Sequence, residues 1–365
     1  MTAALTMGHG GLDMIKVKDD VPVPKPKPGE VLIRVAACGA NNTDINTRTA
    51  WYSRNVTDGT SASGGSEGFA EIDKEGASWG RTSIKFPLIQ GADVCGRVVA
   101  VGDGTPETLI GKRVLVDTWL RDWDDPHNKE MGGYYGSEHN GGYAQYAIAP
   151  KQNVHPIESS YTDVELATFA TAYVTAENML RRANVVKGDV VLIPGASGGV
   201  GSALIQLCLR RGAKPVAMSG ASKAEQVKAL GPIAVLDRSP GDLGAALKGA
   251  IGRDTVDVVA DVVGGPMFKQ FIEVLVKGGR YTCSGAIAGP MVELDLRTFY
   301  LKDLTFTGAT MVPPDLFGKL VGYIERGEVK PLVAATYPLS EIHAAQEAFL
   351  AKKFIGNIVL LPPSD

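Results

Sequence analysis

The most chemically specific run in the chain is Gly195-Ala196-Ser197-Gly198-Gly199-Val200-Gly201. It lies between an apolar segment, Val190-Val191-Leu192-Ile193, and an amphipathic one, Val200 to Arg211. A strand feeding a helix through residues that lack Cβ lets a pyrophosphate reach backbone N–H groups and the positive end of the helix. A bare glycine pattern is equally a structural turn. The strand before it and the helix after it point to a dinucleotide cradle, with Ser197, Gly198, Gly199 and Val200 as its contacts. The end of the following strand separates NAD from NADP, because an acidic side chain there accepts from the ribose 2′-hydroxyl. Here the chain reads Met218-Ser219-Gly220-Ala221-Ser222-Lys223, with no carboxylate before Glu225. Ser219, Ser222 and Lys223, with Arg238 at the end of the third strand, form a set that suits a 2′-phosphate dianion. The plain alternative for Lys223 is a solvated charge at a helix start, and Asp237 beside Arg238 weighs against the phosphate. The balance favours NADPH.

These residues need a doubly wound α/β frame to position them. From about residue 156, short β-branched runs at 190–193, 215–218, 234–236, 256–263 and 280–283 alternate with helical stretches such as Val200 to Arg211 and Met267 to Lys277. That is the βαβ rhythm of a parallel sheet. Residues 1–155 read instead as β-rich. Strands are expected at 31–37, 96–102, 114–116 and 143–149, and an extended proline-dense arm at 21–28. A helix from Glu341 to Lys352 and a strand from Asn357 to Leu361 close the chain. The domain reading is 1–155 with 328–365, and 156–327. Residues 53–85 interrupt the first domain with the linker-like Asp58-Gly59-Thr60-Ser61-Ala62-Ser63-Gly64-Gly65-Ser66, which reads as a mobile insertion or as a lid over a pocket.

Composition narrows the partners. The formal charge is −3, from 37 Lys and Arg against 40 Asp and Glu, with no long basic block. A general electrostatic grip on nucleic acid or anionic membrane is therefore not expected. Cys38, Cys95, Cys208 and Cys283 are widely spaced, with no CxxC pair, which fits a reducing compartment. No apolar run reaches the roughly 18 residues of a membrane helix, and residues 1–11 show no basic segment followed by an apolar one. A cytoplasmic protein is expected. Glycine, 44 of 365 residues, exceeds the usual share of about 7%. The excess belongs either to a linker or to places where backbone must approach something closely.

The chain resembles the medium-chain dehydrogenase/reductase superfamily over essentially its whole length. The resemblance rests on Pro28-Gly29-Glu30-Val31, Gly91-Ala92-Asp93-Val94-Cys95-Gly96-Arg97-Val98 and Gly141-Gly142-Tyr143-Ala144-Gln145-Tyr146. Thr171-Ala172-Tyr173, the turn at 195–201 and Gly356-Asn357-Ile358-Val359-Leu360 continue it in order. It implies a GroES-like barrel domain, a Rossmann domain and an active site in the cleft between them. In the zinc-dependent members three ligands hold the catalytic metal; the matching positions are Asn41, Ala92 and Ala167. Alanine cannot ligate zinc, and residues 96–207 contain no Cys for a structural zinc lobe. No metal is expected, although Asp93, His139 and Cys38 stand as a conceivable substitute set.

The segment Ala40-Asn41-Asn42-Thr43-Asp44 through Trp51-Tyr52 is similar to the zinc-independent quinone oxidoreductase and enoyl reductase branch. In the enoyl reductases the tyrosine matching Tyr52 is assigned proton donation. The resemblance thus implies Tyr52 as donor or enolate stabiliser, Asn41 assisting, and Thr171 fixing the nicotinamide or the substrate carbonyl. Each has a plainer reading: Tyr52 as an aromatic wall, Asn41 as a turn-stabilising side chain. Trp51, Trp119 and Trp123 are pocket walls or loop anchors. Ser284, Gly285 and Ala286 match the backbone that passes the nicotinamide. Asn357 replaces the usual lysine near the cofactor, and the 53–85 insertion is a second departure. The expected activity is NADPH-dependent reduction of a quinone or an α,β-unsaturated carbonyl compound by hydride transfer. A zinc-free carbonyl or imine reductase, or an NADPH-binding protein with little turnover, are the alternatives. The family's pairing of sheet edges near residues 300–310 implies a homodimer or dimer of dimers.

Overall fold

The computed structural model describes residues 1–60, 62–80, 82–128 and 132–364, with the backbone alone at 62 and 63. Six strands form an all-parallel sheet in the order Ala234–Asp237, Lys214–Ser219, Val190–Ile193, Val256–Asp261, Leu275–Cys283 and Thr305–Gly308. In chain order this is 3-2-1-4-5-6, the Rossmann arrangement, with its switch point beside Val190–Ile193. The unbroken apolar run there follows from burial on both faces. Val191 and Ile193 enter a core with Met179, Leu204 and Leu207 of the helices Ala170–Arg182 and Gly199–Arg211. Val190 and Leu192 enter a second core with Leu243, Phe268 and Phe271.

The other lobe is the GroES-like barrel, and Glu30–Ala40 is its hub. This strand pairs antiparallel with Asp93–Val101, with Tyr146–Pro150 and with Asn357–Leu361 from the far end of the chain. Arg113–Val116 and Val154–Pro156 extend one side, and Val333–Pro338 runs parallel to Asn357–Leu361 on the other. A further sheet joins Ala3–Thr6 to Ile15–Lys18 and Leu88–Ile89. Among the described residues, no helix is long and apolar enough to cross a membrane.

Two local expectations need correction. The helix expected over 267–277 occupies Phe268–Glu273 and stops there, because Leu275 already enters the strand Leu275–Cys283. The strand expected at 143–149 begins at Tyr146; the backbone N–H groups of Gly141, Gly142 and Tyr143 donate instead to the carbonyls of Ile89, Gly91 and Gln90.

The insertion is tied at several points. Arg48, with no exposed surface, donates to Gly65 O and Gly10 O at 2.7 Å each and to Gln346 Oε1 at 3.1 Å. Asp73 N donates to Ser53 Oγ at 2.7 Å, and Gly80 N to Glu138 Oε1 at 2.6 Å. Thr60 N donates to Ile287 O at 3.0 Å, so this segment reaches the Rossmann lobe.

Candidate functional site

The phosphate turn is built by exclusion of side chains. Gly195 takes a φ of +66°, and a Cβ on Gly201 would collide with Gly195 O and Ala196 Cα. The strand and helix therefore meet more closely than any side chain allows. The helix Gly199–Arg211 starts from Gly198 with no side-chain cap, leaving its first-turn N–H groups for an anion. The far end of the chain reaches the same place. Gly356 N donates to Ser197 O at 3.3 Å, and a Cβ on Gly199 would lie 3.0 Å from the Asn357 amide. Ser197 through Val200 and Asn357 are thus brought together, and the cradle fits a dinucleotide pyrophosphate.

Ser219 ends its strand buried, while Ser222, in the turn Ala221–Lys223, and Arg238 are exposed at the same sheet end. Burial and then the charge of Arg238 lower the pKa of the Lys223 ammonium, so the two cations are neighbours. Lys223 Nζ donates to Lys352 O at 3.0 Å, and Lys352 Nζ donates to Asn42 Oδ1 at 3.3 Å. Lys352 is a cation that the sequence reading did not single out. Asp237, which weighed against a 2′-phosphate, accepts from Ser239 N at 2.8 Å within its own turn. Ser284 Oγ donates to Ala309 O at 2.9 Å, and Ala286 packs against Gly264. With Gly285 they follow the fifth strand, beside the carbonyl of Ile287 that Thr60 meets.

On the barrel side a buried carboxylate organises the site. Asp93 has no exposed surface; its Oδ1 accepts from Thr171 N at 2.7 Å and from Thr171 Oγ1 at 2.5 Å, and its Oδ2 from Asn41 Nδ2 at 2.9 Å. The Tyr134 hydroxyl lies 2.7 Å from Thr171 Oγ1. Burial pushes the Asp93 carboxyl up to about 6 against the opposing pull of these donors. Asp44, also buried, is pushed up to about 7 by the same cause. It accepts from Asn41 N at 2.8 Å, Tyr143 Oη at 2.9 Å and Gly91 N at 3.2 Å, and so fixes the start of the helix Asn42–Thr49. Asn41 thus caps that helix and binds Asp93. Tyr52, pushed up to about 12 by burial, has its hydroxyl 3.1 Å from Thr43 Oγ1.

The insertion adds an aromatic wall. The Trp79 ring centroid lies 4.3 Å from that of Trp119 and 5.3 Å from that of Tyr134. Trp51 packs edge-on to Tyr52 and donates its Nε1–H to Asp58 O at 2.8 Å. Trp123 instead anchors a loop, donating to Asn153 Oδ1 at 2.9 Å. Tyr134 and Trp79 escaped the sequence reading: Tyr134 sits in a Gly-Gly-Tyr-Tyr-Gly stretch without distinctive spacing, and Trp79 in a polar insertion.

The residues present do not fit a zinc ion. At the three positions that hold the metal in zinc-dependent relatives, the Asn41 amide is spent on Asp93, and Ala92 and Ala167 carry no donor. The substitute set does not converge: His139 is half-buried, stacks on Tyr135 and bonds Asn140 O through Nδ1. Among the described residues, no three His, Cys, Asp or Glu side chains come together as a metal site.

Comparison with known proteins gives the same assignment from two directions. Residues 27–159 match the alcohol dehydrogenase GroES-like domain, and residues 199–326 match the zinc-binding dehydrogenase domain. Rat quinone oxidoreductase is 25% identical over 99% of this chain and 98% of its own. Acryloyl-coenzyme A reductase of Metallosphaera sedula is 26% identical over 99% of each. A crystal structure of a Sinorhizobium meliloti 1021 protein, named provisionally as an alcohol dehydrogenase, superposes with a TM-score of 0.90 at 45% identity, covering 100% of this chain and 97% of that one. The cradle, the six-stranded order and these matches agree: the chain belongs to the medium-chain dehydrogenase/reductase superfamily, an oxidoreductase family that uses pyridine nucleotides.

Proposed function

We propose that the protein is an NADPH-dependent, metal-independent reductase of quinones or α,β-unsaturated carbonyl compounds. The observation that carries this reading is the replacement of a metal centre by neutral hydrogen-bond donors around Asp93. Carbonyl–alcohol chemistry on a zinc alkoxide needs a Lewis acid at that place, and Ala92 and Ala167 deny it its ligands. Conjugate reduction needs less. When bound, the cofactor supplies hydride to the β-carbon of the acceptor. The protein must then stabilise negative charge on the acceptor oxygen and deliver one proton. Tyr52 is the donor nearest in type to that task, its hydroxyl oriented by Thr43. Asn41 and Thr171 hold the Asp93 corner rigid. The quinone oxidoreductase and acryloyl-coenzyme A reductase relatives support the acceptor class.

Lys223, Arg238, Ser219 and Ser222 support NADPH over NADH, since the Asp237 carboxylate is engaged in its own turn. Stopped-flow oxidation of NADPH and NADH against a quinone, an enone, an enoyl thioester and a saturated aldehyde, before and after chelation, tests the reading. Turnover of the first three acceptors that survives chelation is expected. Aldehyde-only turnover that chelation abolishes would overturn it.

A further inference from the structure

Of the acidic groups buried at this site, Asp93 is the one joined to a second tyrosine through a single hydroxyl. The chain is Asp93 Oδ1, Thr171 Oγ1 at 2.5 Å and Tyr134 Oη at 2.7 Å. Its hydrogen-bond directions are constrained. A hydroxyl has one proton, and a carboxylate can only accept. While Asp93 is ionised, Thr171 donates to it, so Thr171 must accept from Tyr134, and the tyrosine proton is committed inward. Once Asp93 carries a proton, Asp93 donates to Thr171, Thr171 donates to Tyr134, and the tyrosine proton is freed from this chain, with the buried Thr118 hydroxyl as its other protein neighbour. The other atoms at the site hold this arrangement in either state: Thr171 N still donates to Oδ1, and Asn41 Nδ2 to Oδ2.

Tyr52 has no such supply. Its hydroxyl neighbours are Thr43 and Asn46, and among the described residues neither is bonded to a carboxyl group. Conjugate reduction makes two separate demands, a hydrogen bond to the acceptor oxygen and a proton for the α-carbon. Tyr134 lies in the Trp79–Trp119 wall and keeps 8% of its surface exposed, unlike Asp93, which has none.

We propose that Tyr134 is the acid that protonates the substrate α-carbon, and that Thr171 and Asp93 are positioning residues that supply its proton. The inference rests on the conjugate-reduction reading and deepens it. In the step, after hydride has reached the β-carbon, the enolate electron pair forms the new C–H bond as the Tyr134 O–H bond breaks. The Tyr134 oxygen takes the Thr171 proton, Thr171 takes the proton of Asp93, and Asp93 is left as a carboxylate. Water entering the emptied cleft returns one proton through Tyr134 by the same path in reverse.

Asp93 is faced by Cys38 on Glu30–Ala40, by Asp44 at the start of Asn42–Thr49, and by Tyr134 and Tyr143. Burial raises Asp44 as well, and the charge of Asp93 adds to that rise, so the profile carries both acids. The variant test separates them.

Thr171→Val removes the linking hydroxyl, keeps the backbone N–H to Asp93 and leaves Asp44 untouched, while Thr171→Ser restores the hydroxyl. With a saturating enone, the turnover of the native protein should fall as pH rises above about 6, the range in which burial places Asp93. Thr171→Val and Tyr134→Phe should each lose about 10²-fold in that turnover and lose the limb, and Thr171→Ser should recover both. In deuterated water the native product should carry deuterium on one face of the α-carbon, and the Tyr134→Phe product on both. A Thr171→Val protein with native rate and limb overturns the relay while leaving the reductase reading standing. The store itself is visible without any acceptor, as the infrared C=O band of a protonated carboxyl that disappears in Asp93→Asn. That band titrating in a protein that reduces none of the acceptors overturns the reductase reading and the relay's role with it.

Discussion

Replacing Lys223 by Ala isolates the cofactor's 2′-phosphate from everything else the cradle holds. Lys223 is half-buried just past the end of the second parallel strand, and its ammonium donates to a backbone carbonyl, Lys352 O at 3.0 Å. Arg238 is close enough to lower its pKa. Two like charges side by side, with no carboxylate bonded to either among the described residues, are relieved by an anion. A charge-assisted hydrogen bond contributes about 1.5–3 kcal/mol. Solvent reaches this corner and Arg238 remains, so the lower half of that range applies, equivalent to about 10- to 40-fold in dissociation constant. Fluorescence titration of the reduced nucleotides should show Lys223→Ala weakening NADPH by that factor and NADH by less than about twofold. The native preference for NADPH should also shrink as salt is raised, because an exposed phosphate contact is screened. The double variant Lys223→Ala/Arg238→Ala should cost less than the sum of the single changes, since one phosphate is shared between them. Equal weakening of both nucleotides would refute the assignment, because it would place Lys223 at a group common to both.

Two other outcomes follow from the geometry. Trp79→Ala removes an indole whose ring lies 4.3 Å from Trp119, and should raise KM for a bicyclic quinone at least tenfold while leaving NADPH affinity unchanged; steady-state kinetics and nucleotide titration check this together. The edge strand Thr305–Gly308 is unpaired on its outer side among the described residues and follows a helix that carries Leu296, Tyr300 and Leu301, each more than half exposed. If two copies join there, Tyr300→Asp with Leu301→Glu should halve the native mass in light scattering, and an unchanged dimer would remove this edge as the interface.

The sequence was most informative where a backbone constraint and a local period coincide. Val190–Ile193, the turn at 195–201 and Gly199–Arg211 lie where the glycines, the apolar run and the amphipathic stretch place them. Conjunctions between distant segments were invisible. Asp93 is a lone acid in Gly-Ala-Asp-Val until Thr171, 78 positions on, turns its N–H and hydroxyl toward it. Lys352 reaches Lys223 across 129 positions. The insertion offered neither period nor motif, because its fixed points are single bonds from elsewhere: a buried arginine, Glu138 and the carbonyl of Ile287. The helix expected over 267–277 failed for a related reason. Its second half has apolar residues at the right spacing, but parallel pairing with Val256–Asp261 claims Leu275 onward.

The glycine excess and the alanines at the positions of the zinc ligands are connected. Zinc is a compact positive charge that can polarise an oxygen from a cleft of ordinary width. Neutral donors act only at hydrogen-bond distance and need a preorganised, largely dry setting to match part of that effect. Close approach of backbone to backbone is one way to exclude water, and the glycines along this seam provide it. A Cβ on Gly39 would strike Ala167 O and press on Asp93, and one on Gly142 would strike Val94. The carboxylate that remains inside is affordable only with every oxygen bonded, and Asp93 has three donors on two oxygens. Enlarging Gly39 should therefore harm the site more than the fold's parallel sheet. It would part the Ala167 carbonyl and Asp93 from the strand that carries Asn41, admit water, and return the carboxyl toward its ordinary acidity.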